Sequence, residues 1–225
     1  MYNFRFQALY PFFNTLPSAI WTTIEISFLA IILSAIMGVF LALMRRSDHL
    51  LLRGIGTAYV EIIRNMPLLV LLYLVFFGLP YFGIVLSGYL SGLIALTLNS
   101  ASFMTEIFRA GLIAVPKGQY EAARSQGMTQ YRMYSSVILP QILRVSYAPL
   151  GNQIIGVIMG SSIMMIVTVE EVTAWLHNTG SVTYRYFEAF VIVAVIYLCL
   201  CQGTNIFRNF MGRVLFKSVA AGGRW

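Results

Sequence analysis

Five stretches of the chain carry apolar residues almost without interruption, and the polar residues gather between them. The first, residues 16–44, is broken only by Glu25 and ends at Arg45-Arg46. The others run over about 67–86, 90–115, 141–169 and 187–207, the third carrying Glu106 and Arg109 near its end. A helix needs roughly 20 mostly apolar residues to cross about 30 Å of hydrocarbon, so the pattern predicts an all-α integral membrane chain with five transmembrane helices. The first stretch exceeds the roughly 7–15-residue core of a signal peptide and no basic segment precedes it, so it is expected to be retained. Five crossings place the two termini on opposite sides. The whole chain, 1–225, reads as one transmembrane domain with a long polar loop over about 116–140.

Composition agrees with this reading. Of the 225 residues 59% are hydrophobic and 10% charged, whereas soluble domains are about 45–50% apolar and about 25% charged. A disordered chain, a cytosolic enzyme and a nucleic-acid binder are poor fits. Cys199 and Cys201 lie within an apolar run, where their spacing on a helix points them apart, so neither a disulfide nor a metal site is implied. The formal charge of +7 becomes informative once its position is asked. Arg45, Arg46, Arg53 and Arg64 follow the first span. Arg109, Lys117, Arg124, Arg132 and Arg144 frame the long loop, and Arg208, Arg213, Lys217 and Arg224 lie in or near the C-terminal tail. Those are 13 of the 15 basic residues, with Arg5 and Arg185 on the other side. Positive charge marks the cytoplasmic face, so the N-terminus is expected outside and the C-terminus in the cytoplasm. The outer segments are short, and capture of a solute there would fall to another chain.

The cytoplasmic loop reads Gly118-Gln119-Tyr120-Glu121-Ala122-Ala123-Arg124-Ser125-Gln126-Gly127, and later Val137-Ile138-Leu139-Pro140. Two short helices around a glycine are predicted. Glu-Ala-Ala favours helix, Gly127 tolerates a positive φ, and Pro140 suits the start of the next element. Ala122 and Ala123 present almost no side chain, which would let another protein approach the backbone closely. By composition alone the stretch could equally be a solvated hairpin.

The complete pattern, Glu-Ala-Ala, three residues, Gly, nine residues, Val137, one residue, Leu139-Pro140, resembles the EAA loop of the transmembrane subunits of bacterial ABC importers. The likeness extends over most of the chain. Residues 59–69, YVEIIRNMPLL, are similar to the approach to the second span in permeases for polar amino acids, and Thr105 to Gly111 with Val115 to Gln119 to their entry into the loop. Leu139 to Arg144 and Tyr186-Phe187-Glu188 are similar to the loop exit and the final span. The resemblance implies a type I importer-like permease of the bacterial inner membrane that pairs with a second permease subunit, identical or similar. It implies two ATPase subunits below, which bind ATP and Mg, and a substrate-binding protein outside. No cofactor is expected in this chain. Glu121, Ala122, Ala123, Gly127, Leu139 and Pro140 would form the loop that couples to the ATPase, and alternating access would carry a polar amino acid.

The chain departs from these permeases in the fourth span, where Met159-Gly160-Ser161-Ser162-Ile163 stands in place of a run that often begins with Lys. Intramembrane charge is expensive and usually functional, so substrate preference does not carry over. Asn152, Gly156 and Gly160 share one helical face, which predicts close helix packing or, alternatively, part of the path. Ser161, Ser162, Asn99, Ser100 and Ser102 admit the same two readings. Glu25 lies about 13 Å into the first span at 1.5 Å per residue, where it could snorkel, pair, or meet a solute's amino group. Glu106 and Arg109 are expected to pair across one turn. Glu170 and Glu171 read as interfacial, or as a docking point for the binding protein.

Catalysis finds little support. The chain has no Gly-x-x-x-x-Gly-Lys-Ser/Thr run to cradle ATP phosphates, and His49 and His177 stand without a second ligand at metal spacing. The stronger rival is a secondary transporter or channel for a small polar solute. That class often has related halves, which five spans cannot form equally. At this length the chain is expected to be one part of an assembly.

Overall fold

The computed structural model describes residues 3–216, and every regular element among them is helical. The main elements are α1 (Leu16–Arg45), α2 (Leu50–Arg64), α3 (Leu68–Tyr73), α4 (Gly88–Ala114), α5 (Lys117–Ser125), α6 (Gln130–Met133), α7 (Leu139–Gly160), α8 (Val172–Thr183) and α9 (Tyr186–Leu215). Lys217 and Arg224, which entered the charge count, lie outside the described residues.

Among the described residues three helical runs are long and apolar enough to cross a membrane: Leu16–Arg45, Gln130–Val167 and Tyr186–Leu215. The second is 38 residues long because a π turn, Tyr134–Ile138, joins α6 to α7, and a 3-10 segment, Ser161–Val167, extends α7. Pro140 therefore sits inside a continuous helix rather than opening one. Proline has no N–H and its ring crowds the carbonyl one turn back; the wider turn just upstream gives that carbonyl room.

The second apolar stretch differs most from expectation. Its helical run begins at Leu68, directly after Pro67 as expected, but ends at Phe82, and with α2 it forms a pair bent by 108°. Pro67 bars helix from the residue before it, and the Asn65 side chain donates to the Glu61 carbonyl at 2.7 Å, closing α2. Arg64, counted above as a loop residue, is the last residue of α2 and reaches to 4.0 Å from Glu106.

α4 occupies the centre. At 27 residues it spans about 40 Å, but Ser91, Asn99, Ser100, Ser102, Thr105 and Glu106 make it less apolar than its neighbours. Most of these are buried against other helices. α1 runs parallel to α4: Gly92 faces Ile26, and Gly38 faces Met104 and Thr105. α7 runs antiparallel, with Gly92 against Met164, Ser100 against Gln153, and Gly111 against Ile142 and Ser146. α9 returns along α7, where Gly151 meets Arg208 and Gly212 meets Tyr147.

Small residues permit this closeness. The buried face of α1 carries Ala19, Thr23, Ser27, Ala30, Ser34, Gly38 and Ala42, while Trp21, Phe28, Ile36 and Phe40 point outward. Between membrane helices, backbone approach replaces the hydrophobic effect as the driving force, so the large apolar residues line the outside. The glycine face expected on the fourth span holds only in part: a Cβ at Gly160 would come within 3.2 Å of Leu68 and Leu96. A Cβ at Gly156 would meet nothing within 4 Å, and the close contact to α9 is made by Gly151, one residue before Asn152. The most extensive small-residue seam runs between α1 and α4.

Candidate functional site: the α5 hairpin and the helix ends around it

The segment after α4 turns sharply because Val115 and Pro116 are extended, and α5 follows at once. Its end is closed by three backbone bonds: Gln126 N–H donates to Ala122 O, Gly127 N–H to Arg124 O at 2.9 Å, and Met128 N–H to Ala123 O at 3.1 Å. Gly127 holds φ at +68°, the left-handed conformation that ends helices and that side-chain-bearing residues avoid. The Thr129 side chain then caps α6 by accepting from the Arg132 N–H.

The hairpin has its own core. Val115, Ala123, Met133, Ile138 and Ile142 are buried together, with Leu112, Tyr120, Met128 and Val137 packed against them. The ring of Tyr120 meets that of Tyr134 edge-on at 6.2 Å. This core joins the end of α4 to the start of α7. Ala122 and Ala123 divide the roles given to them jointly by the sequence. Ala123 is buried and its smallness lets α5 lie on the hairpin core, whereas Ala122 faces outward with Gly118, Glu121 and Ser125. Glu121 forms no ion pair among the described residues. Leu139 and Pro140 are exposed at the hairpin exit. The outer face of α5 is therefore flat, small-residued and tipped by one available carboxylate.

Beside the hairpin, Glu106 gathers three arginines rather than the one expected. It pairs with Arg45 from the end of α1, with Arg109 one turn on at 2.7 Å, and with Arg64 from α2 at 4.0 Å. Arg64 also lies over the Phe103 ring at 5.4 Å. The carboxylate thus fastens the ends of three helices at one level, a convergence invisible in sequence because the partners are up to 61 residues away.

The residues considered for a translocation path do not converge. Glu25 is exposed on α1 and accepts from the Tyr89 hydroxyl at 3.1 Å. Ser102 donates to the Asn99 carbonyl at 2.6 Å, and Ser161 and Ser162 donate to the carbonyls of Ile158 and Met159, each within its own helical run. Asn152 accepts from Arg208 at 3.0 Å, binding α7 to α9. Among the described residues no group of three or more His, Cys, Asp or Glu side chains could hold a metal ion.

At the other end of the bundle the structure separates Glu170 from Glu171. Glu170 is exposed, but Glu171 is fully buried and caps α8. The N–H groups of Thr173 and Ala174 donate to its two oxygens at 2.8 Å, and the Tyr197 hydroxyl donates at 2.9 Å. Burial pushes the carboxyl up from its ordinary range, against the pull of these hydrogen bonds. An interfacial reading of Glu171 is thereby overturned: orphan N–H groups at a helix start attract a side-chain acceptor. The signal was present as Glu171 directly before Val172-Thr173-Ala174. Glu188, also fully buried, accepts from the Arg5 N–H at 3.0 Å and pairs with Arg185.

These features define a class: a helical membrane bundle with a rigid polar hairpin presented at one end. The family profile described as "Binding-protein-dependent transport system inner membrane component" matches residues 30–216, and the chain belongs to that family. It is similar to the probable glutamine ABC transporter permease protein GlnM of Bacillus subtilis (strain 168), 37% identical over 93% of this chain and 97% of that protein. It is likewise similar to the L-cystine transport system permease protein TcyB of the same organism, 35% identical over 93% of this chain and 90% of that one. Among solved structures, an amino acid ABC transporter crystallised with histidines superposes with a TM-score of 0.87 at 34% identity, covering 94% of this chain and 99% of that chain. The methionine transporter MetNI shares the fold, at a TM-score of 0.76 and 20% identity over 91% and 98% of the chains. This is a multi-pass inner-membrane protein, the permease subunit of an amino-acid ABC importer, and it is not itself an enzyme.

Proposed function

We propose that the chain is one half of a permease pair that passes a polar amino acid, delivered by an extracytoplasmic binding protein, through alternating access driven by a dimer of separate ATPase subunits that bind ATP and Mg. The observation that carries this reading is the α5 hairpin, cored on the ends of α4 and α7 and open to a partner through Gly118, Glu121, Ala122 and Ser125. Closure of an ATPase pair against that face would tilt the two helices together.

The parallel course of α1 and α4 requires one return between them, and the bent α2–α3 pair is the element available to make it. With α4 counted, this gives five crossings. The outer position of the N-terminus rests on the cytoplasmic clustering of Arg and Lys. Asn99, Ser102, Asn152, Ser161, Ser162 and Glu25 stay candidates for contact with the solute in an open state, because their present bonds are local or peripheral.

The test is co-reconstitution with the ATPase and binding protein, following labelled amino-acid uptake and ATP hydrolysis. Ala122→Arg places a long cation on the flat face and is expected to abolish both, with helix content intact. Wild-type coupling in that variant would refute the role of the hairpin. Uptake that resists ATP depletion but collapses with a protonophore would establish the secondary-transporter reading instead.

A further inference from the structure

A cleft of about 580 Å³ lies between the ends of α1 and α4 and the inner side of α5. Five cations line it, Arg45, Arg46, Arg109, Lys117 and Arg124, against the single carboxylate of Glu121. Glu106 neutralises part of the charge on Arg45 and Arg109. Arg46, Lys117 and Arg124 are exposed and make no ion pair among the described residues. A second groove of about 400 Å³ lies alongside it and shares the walls Ala42, Leu112 and Tyr134; its other walls include Val39, Leu43, Phe108, Leu139, Ile142 and Leu143, almost wholly apolar. Val39 and Leu43 belong to the outward face of α1, exposed at 45% and 57%.

A cationic chamber side by side with an apolar groove at the end of two membrane helices is complementary to a molecule with an anionic head and a hydrocarbon tail. We infer that this double groove binds an anionic phospholipid of the cytoplasmic leaflet, its phosphate among Arg46, Lys117 and Arg124 and an acyl chain along Val39, Leu43 and Phe108. A free phosphate would use the chamber and leave the apolar groove unfilled; a zwitterionic lipid would use the groove without needing the excess charge. The location rests on the sidedness given under Proposed function. Because α5 forms one wall, lipid and ATPase would meet adjoining faces of the same hairpin, with Glu121 at the edge the two faces share.

The experiment uses the assembled permease–ATPase complex, purified in detergent and offered mixed micelles of phosphatidylglycerol and phosphatidylcholine, with retained lipid read by native mass spectrometry. Preferential retention of phosphatidylglycerol is expected, unaffected by inorganic phosphate. The double variant Arg46→Ala, Lys117→Ala should weaken that preference by about fivefold per cation removed, and Leu43→Gln should shorten retention of both lipids. Equal retention of the two lipids, displacement by inorganic phosphate, or an unchanged preference in the double variant would overturn the assignment. So would a preference shown only by the permease freed of its ATPase, since an acidic surface of the partner would then fill the cleft. Lipid retention is read without transport, so failure of the uptake assay and failure of this site are distinguishable.

Discussion

The two ends of the bundle handle charge in opposite ways. At the α8 end, Glu171 and Glu188 are fully buried and spent on local structure. One closes the start of α8 and holds Tyr197; the other holds the backbone of Arg5 and the side chain of Arg185. The N-terminal segment completes that cap, with Leu9 buried beside Val172, Trp175 and Ala189, and the Trp175 indole N–H donating to the Phe12 carbonyl at 2.9 Å. At the α5 end a single acid, Glu106, ties three helix ends, while Arg46, Lys117, Arg124 and Glu121 are left to the surroundings. The contrast teaches where this protein is fastened and where it is prepared to be touched. The cap uses up its charges; the hairpin end retains a surplus.

The largest effect should come from the acid that joins the helices. Glu106→Ala leaves Arg45 and Arg109 without their counter-ion, and removing one partner of a buried pair costs about 3–5 kcal/mol. Side-chain exposures of 15% and 19% for Arg45 and Glu106 reduce the expectation to roughly 2–3 kcal/mol. Thermal unfolding of the purified protein measures it. A change no larger than that of an exposed surface variant would show that the ends of α1 and α4 are fastened by packing instead.

Glu171 should matter next, and its effect should depend on pH. Glu171→Ala strands two helix-start N–H groups and the Tyr197 hydroxyl, a loss of about 2 kcal/mol. In the folded protein the carboxyl holds its proton at pH values where the unfolded chain has released it, because burial has raised it from the ordinary 4.5. Its contribution is therefore fully present below that value and declines as pH rises through the raised folded value. Glu171→Gln should flatten that slope. An unchanged pH profile would mean that the carboxyl is solvated and the cap open.

Gly127→Ala should be the mildest. No atom lies within 4 Å of an added Cβ, so only the positive φ opposes it, at about 1 kcal/mol. If uptake fell while stability dropped by no more than this, the hairpin turn would be identified as part of coupling rather than of folding.

Much of this was legible in the order of residues. Long apolar runs fix helices whatever their neighbours, since a backbone in hydrocarbon must satisfy its own hydrogen bonds. Leu16–Arg45 accordingly lies where the sequence predicts it, and Tyr186–Leu215 begins where predicted but continues past residue 207 to take in Arg208 and Arg213. The hairpin was equally readable, because the helix-forming Glu121-Ala122-Ala123 and Gly127 act over a few residues. The second apolar run was placed correctly after Pro67, but its apolar content over residues 67–86 gave no sign of α2, the other arm of the bent pair. Of the small-residue face expected on α7, Gly160 packs closely and Gly156 does not, and α1 carries a further small-residue face against α4, since any membrane helix offers several such faces and only its neighbours select one. The sequence by itself determined which segments are helical, that they belong in a membrane, and where the polar hairpin falls; these rest on local propensity and hydrophobicity. Only the tertiary structure decided which faces meet, that Glu171 is buried while Glu170 is not, and that Glu106 gathers arginines from three helices, because those outcomes depend on side chains distant in the chain arriving at one place.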